Sequence, residues 1–155
     1  MTARVSAGLL VYRRREGRLE VLLAHPGGPF FARQDEGAWT IPKGEPEPGE
    51  DLLATAQREL REEIGCEARG ALIPLGSVKQ RGGKTVHAWA FEGDLEEDAP
   101  LPVNEFELEW PPRSGERRRF PEIDRAGFFT LELARAKIRE AQRPFLTRLE
   151  EALRG

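Results

Sequence analysis

The sequence predicts a mixed α/β or α+β architecture in which helices pack against a β-sheet. Three observations lead there. Two β-prone apolar segments near the start are joined by a short polar link. A single amphipathic helix follows over 51–64. Further strands come next, and two amphipathic helices lie near the end.

The first strand is Val5 to Tyr12 (VSAGLLVY) and the second Leu19 to Ala24 (LEVLLA); Gly17 in the polar link makes them a hairpin. Arg13-Arg14-Arg15 reads as a solvated turn. His25-Pro26-Gly27-Gly28-Pro29 is expected to be irregular, and Phe30 to Gly37 continues as loop. A connection this long is often functional, so His25 and Arg33 are candidates to approach a phosphate. Trp39 reads as core, and Ile41, preceding Pro42, as extended.

Gly44 to Gly49 holds two glycines and two prolines and is expected to be loop. From Asp51 to Ile64, Leu52, Leu53, Ala56, Leu60 and Ile64 fall on one helical stripe. Asp51 is placed to cap the start and Gly65 to stop the end. Glu59, Glu62 and Glu63 lie three and four residues apart and so share a face, where their carboxylates repel. A divalent cation would remove that cost, since hard cations take carboxylate oxygen. An acidic helical face by itself usually means only solvation, and Arg58 can pair with Glu62 or Glu50.

Ala71 to Gln80 and Thr85 to Glu92 read as strands joined at Gly82-Gly83, with Lys79, Arg81 and Lys84 at the turn. Gly93 to Pro102 is acidic surface loop. Val103 to Trp110 alternates as a half-buried strand, Glu116 to Arg119 is polar, and Phe120 to Asp124 is loop. Gly127-Phe128-Phe129 is a short strand. Leu131 to Glu140 and Pro144 to Leu153 are helices, the second with Pro144 at its start.

Composition narrows the classes. The 155 residues fit one domain over 1–155; 39% are hydrophobic and 33% charged, ordinary for a water-exposed globular chain. A net charge of −3 offers no field favouring nucleic acid. Cys66 is the one cysteine, so no intrachain disulfide forms, which fits a reducing compartment. The N-terminal apolar run is short and follows no basic region; neither a signal peptide nor a membrane span is expected, and the expected location is the cytoplasm.

The spacing around the helix carries the functional reading. Gly44, five residues, Glu50, seven residues, Arg58-Glu59-Leu60, one residue, Glu62-Glu63, one residue and Gly65 resembles the Nudix box; eight fixed positions match over 22 residues. Cys66 stands where Ile, Leu or Val is usual, and it packs like a small hydrophobe. The run Trp39-x-x-Pro42-Lys43-Gly44 is similar to that of Nudix members acting on dinucleoside polyphosphates and inositol pyrophosphates. The resemblance implies an α/β/α sandwich around a mixed sheet, and hydrolysis of a nucleoside diphosphate linked to another moiety, best matched by diadenosine tetraphosphate. Two alternatives remain: a nucleoside triphosphate pyrophosphatase, including one acting on oxidised nucleotides, and a non-catalytic nucleotide-binding module. It implies that Glu59, Glu62 and Glu63, with the Lys43 carbonyl, hold magnesium or manganese. Gly44, Glu50, Arg58 and Gly65 would brace the box. The general base is Glu59 or a carboxylate from a later loop, for which Glu122 is the candidate. Arg33, Lys43, Lys79 and Arg81 are candidates for phosphate binding. A small nucleotide or polyphosphate is the expected partner, with the protein monomeric or homodimeric.

Overall fold

The computed structural model describes residues 4–96 and 99–155. Strand β1 (Val5–Arg15) turns into β2 (Arg18–Pro26) through Glu16 and Gly17, both at positive φ (51° and 75°). That two-residue turn matches the twist of the paired strands. A two-residue strand, β3 (Lys43–Gly44), leads to helix α1 (Leu52–Ile64). Strands β4 (Ile73–Lys79) and β5 (Thr85–Glu92) follow, joined by a 3-10 turn at Arg81–Gly83. Then come β6 (Glu105–Glu109), β7 (Arg117–Pro121) and β8 (Ile123–Thr130). Helices α2 (Leu131–Lys137) and α3 (Arg143–Arg154) complete the order.

The main sheet runs β4-β5-β1-β2-β8, with β3 also paired to β1. It is mixed, because β1 and β5 are parallel and the other pairs antiparallel. Its two faces carry two cores. Ala7, Leu9, Val11, Leu22 and Phe91 pack against Ala56 and Leu60 of α1. Leu10, Tyr12, Val21, Leu23, Val86, Ala88 and Ala90 pack against Ala134 of α2 and Phe145, Leu146 and Leu149 of α3. Strand β1 is covered on both faces, and so reads as a continuous apolar run. The expected α/β/α sandwich around a mixed sheet is the observed one.

Several local expectations are overturned. His25 and Pro26 are the last residues of β2, not loop; Pro26 pairs with Ile123 across a register shift, where a missing N–H is tolerated. Gly44 is strand rather than loop, because β3 lies against β1 opposite Ala7. The polar run before Phe120 is β7, paired with β6 in a separate two-stranded sheet, and Ile123 and Asp124 already belong to β8. The period was hidden because one face carries Arg117 and Arg119, which ion-pair with Glu107 and Glu105. Helix α2 ends at Lys137, short of Glu140, because Ile138 becomes extended, fully buries and bridges to Trp39. Part of the acidic loop expected over 93–102, Glu97 and Asp98, lies outside the described residues.

Candidate active site

Helix α1 is fixed at both ends. The Asp51 carboxylate accepts the Ala54 N–H at 2.7 Å, and Gly65 closes the helix at φ 82°. Its inner face is anchored by Ala56 and Leu60, which are fully buried.

Arg58 organises the polar face. Its Nε donates to Glu50 Oε2 at 2.8 Å, and one terminal nitrogen donates to Glu50 Oε1 and to the Glu45 carbonyl, each at 3.0 Å. The other reaches Glu59 Oε1 at 3.0 Å and Glu62 Oε2 at 3.1 Å. Glu50 also accepts from Thr55 Oγ1 and the Glu47 N–H. The Arg58 guanidinium holds the Glu50 carboxyl down to about 2. Both Glu50 oxygens are thus engaged in tying the 45–50 loop onto α1.

Glu59 and Glu63 are the desolvated carboxylates. Burial raises Glu59, helped by Glu62 and Glu122, against the pull of Arg58. Glu63 is 8% exposed, and burial, then Glu59 and Glu122, push it up to about 8. Its Oε2 accepts the Lys43 N–H at 3.0 Å. Glycines make this approach possible. A Cβ on Gly44 would lie 2.1 Å from the Glu59 carboxyl carbon, and one on Gly8 would lie 2.4 Å from the Pro42 carbonyl oxygen. At Gly8 only hydrogen fits against the Pro42 backbone, whereas at Gly44 a side chain would displace the Glu59 carboxyl.

Glu62 is half exposed and turned to Arg58. Its carbonyl accepts from Asn104 Nδ2, and the Asn104 carbonyl accepts the Glu122 N–H at 2.8 Å. The chain leading into β6 therefore joins the end of α1 to the segment carrying Glu122.

The expected phosphate-binding residues separate. Lys79 and Arg81 line a cavity of about 550 Å³ with Gln80, Arg139, Glu140 and Ala141. Burial brings the Lys43 ammonium down to about 8, and the cations Lys84 and Arg139 add to that shift. Lys43 thus links the carboxylate cluster to a basic region. Arg33 is exposed on the loop after Pro26, beside the turn in which the Gln34 N–H bonds to the Phe31 carbonyl. Sequence reasoning missed Arg139. It arrives because its N–H donates to the Trp39 carbonyl at 2.8 Å, a pairing about 100 residues apart in sequence that no local pattern signals. His25 is fully buried, so it is not a phosphate contact in this conformation. Trp39, 5% exposed, is core, with its Nε1–H on Asp35 Oδ1 at 2.8 Å.

The donor set suits a hard divalent cation. Glu59 and Glu63 supply carboxylate oxygens whose charges oppose one another in a desolvated place, and the Lys43 carbonyl is close in the chain. Among the described residues, no three His, Cys, Asp or Glu side chains converge into a finished metal site. Arg58 bonds to Glu59 and Glu62, so a cation would take oxygens that now neutralise a guanidinium.

The NUDIX domain family matches residues 2–149, and the chain belongs to it. Among curated proteins, the mouse (Mus musculus) asymmetrical bis(5'-nucleosyl)-tetraphosphatase is 35% identical over 99 residues, which cover 56% of this chain and 63% of that protein. The Caenorhabditis elegans protein of that name is 41% identical over 58 residues, 37% of this chain and 38% of its own length. A human (Homo sapiens) 8-oxo-dGDP phosphatase is 33% identical over 88 residues, 53% of this chain and 26% of that protein. The matches thus span less than two thirds of each of these relatives. Among solved structures, the C. elegans Ap4A hydrolase binary complex superposes with a TM-score of 0.67 at 24% identity, covering 98% of both chains. This likeness concerns the fold.

Proposed function

We propose that this protein is a divalent-metal-dependent pyrophosphohydrolase acting on a nucleoside diphosphate linked to another moiety, with a dinucleoside polyphosphate such as diadenosine tetraphosphate as substrate. The observation that carries the reading is the pair of largely buried α1 carboxylates set against β3: Glu63 accepts the Lys43 N–H at 3.0 Å, and the Glu59 carboxyl lies against Gly44. Carboxylates and cations side by side suit a ligand made of metal and polyphosphate. The names of the mouse and nematode relatives support the choice of substrate.

In this reading Glu59 and Glu63, with the Lys43 carbonyl and Glu62, hold magnesium or manganese. When bound, the metal supplies a more acidic water and neutralises charge on the phosphate oxygens. The chain's residues do the rest. Glu122, or Glu59, takes a proton from the attacking water as its oxygen bonds to phosphorus. The phosphoanhydride bond breaks, and one nucleotide departs as a phosphate oxyanion toward Lys43, Lys79 and Arg81. Arg58 and Glu50 keep α1 and the 45–50 loop in register.

A second reading, hydrolysis of nucleoside triphosphates or oxidised nucleotides, is favoured by the 8-oxo-dGDP phosphatase relative. A panel of diadenosine polyphosphates, nucleoside triphosphates including 8-oxo forms, and ADP-ribose with magnesium separates the two. Release of ATP and AMP from diadenosine tetraphosphate, lost with EDTA and with Glu63→Gln, is the expected result. Metal binding without turnover of any member would replace the reading with that of a binding module.

A further inference from the structure

His25 is fully buried at the end of β2, and both of its ring nitrogens are engaged. Nδ1 lies 2.7 Å from Asp124 Oδ1, and Nε2 lies 2.7 Å from the Gln34 carbonyl oxygen. A carbonyl oxygen only accepts, so Nε2 carries a proton toward Gln34. The ring itself is fully buried, while the Asp124 side chain is partly exposed at 31%. The ring stands edge-on to Trp39, with the ring centroids 5.1 Å apart, and Arg125, whose Nε is 3.6 Å from Asp124, lies over the Trp39 ring.

These contacts join pieces of chain that nothing local would join. Gln34 is in the loop between β2 and Trp39, and Asp124 lies two residues past Glu122. The same two segments meet again at Gly27, whose N–H donates to the Glu122 carbonyl at 2.9 Å. A Cβ on Gly27 would sit 1.9 Å from the Pro121 carbonyl oxygen, so the two backbones are in direct contact.

We propose that His25 is a positioning residue: through Gln34 and Asp124 it locks the 26–37 loop to the Glu122 segment, which Asn104 ties to the Glu62 carbonyl at the end of α1, and so fixes where Glu122 stands relative to the α1 carboxylates. This rests on the reading of Glu122 as a group that acts in hydrolysis. A one-ångström misplacement of such a group costs on the order of 100-fold in rate.

The test is kinetic and structural. With diadenosine tetraphosphate and magnesium, His25→Phe, which keeps a ring but loses both bonds, is expected to lower kcat about 10- to 100-fold with KM nearly constant. Asp124→Asn provides a second, milder variant. In a Glu122→Gln background, His25→Phe is expected to change kcat by less than about twofold, because the group it positions is gone. Equal losses in both backgrounds would overturn the proposal, as would an unimpaired His25→Phe beside a disabled Glu122→Gln. A fully active Glu122→Gln would remove the role of Glu122, and this inference with it, while leaving hydrolysis intact. Hydrogen exchange needs no substrate: amides of 26–37 and 119–125 should exchange faster in both variants while those of α1 do not change. Unaltered exchange in those two segments also overturns the lock.

Discussion

Glu63 on α1 accepts the backbone N–H of Lys43 on β3 at 3.0 Å, although 20 residues separate them. One hydrogen bond thus sets a buried carboxylate against the strand whose carbonyl is its proposed co-ligand. Glu63→Gln keeps the acceptor oxygen but loses the charge. Turnover is expected to fall at least about 100-fold, since even outer partners of metal ligands are worth 10–100-fold. Steady-state kinetics with retained α1 hydrogen exchange would check it.

The same carboxyl makes the metal-free protein sensitive to alkali. Glu63 titrates near 4.5 when unfolded and is pushed up to about 8 in the fold, mainly by burial. A raised acid contributes stability that is fully present below about 4.5 and is lost as pH climbs through about 8. In EDTA, the Tm of the parent should therefore decline across that window, and Glu63→Gln should flatten the decline. Parallel curves for the two proteins would exclude Glu63 as the source.

Arg58 and Glu50 run the opposite way. Glu50 is held down to about 2 by the guanidinium, so its contribution is present above about 4.5 and is lost as pH falls toward about 2. Arg58→Ala should lower the Tm at neutral pH and reduce its fall on acidification. Arg58→Lys should restore little, because an ammonium cannot serve Glu50 and Glu59 in a forked geometry. Thermal unfolding at several pH values measures both.

Gly44→Ala should separate activity from folding. Its new methyl would overlap the Glu59 carboxyl, the far end of a side chain that can swing away. The fold should lose about 1–3 kcal/mol at most. The displaced carboxylate should cost on the order of 100-fold in kcat. Denaturant unfolding and kinetics on the same preparation compare the two losses.

Leu60→Ala tests the anchor beneath the site. Leu60 is fully buried against the sheet, and its truncation should cost about 2–5 kcal/mol, read from denaturant midpoints.

Much of this was legible in the chain. The stripe from Leu52 to Ile64, the Asp51 cap and the Gly65 stop are local signals, and α1 obeys all three. Sequence spacing alone put Glu59, Glu62 and Glu63 on one face of the helix, with Arg58 within reach of Glu62, because helical periodicity is a property of consecutive residues. The order of strands and helices likewise foretold helices packed against a sheet, and the resemblance to the Nudix family implied that the sheet is mixed.

What tertiary structure decided is which of those groups lose water and what they meet. Glu62 and Glu63 are neighbours in sequence, yet one is half exposed on Arg58 and the other is buried on the Lys43 N–H. Charge repulsion and desolvation depend on distances across β1, β3 and α1, not on spacing along the chain. The strand character of His25 and Pro26, the pairing of β7 with β6, and the approach of Arg139 and Asp124 all rest on contacts between remote segments. A local pattern holds no record of them, because the partner that satisfies each backbone group or side chain is supplied only when the sheet closes.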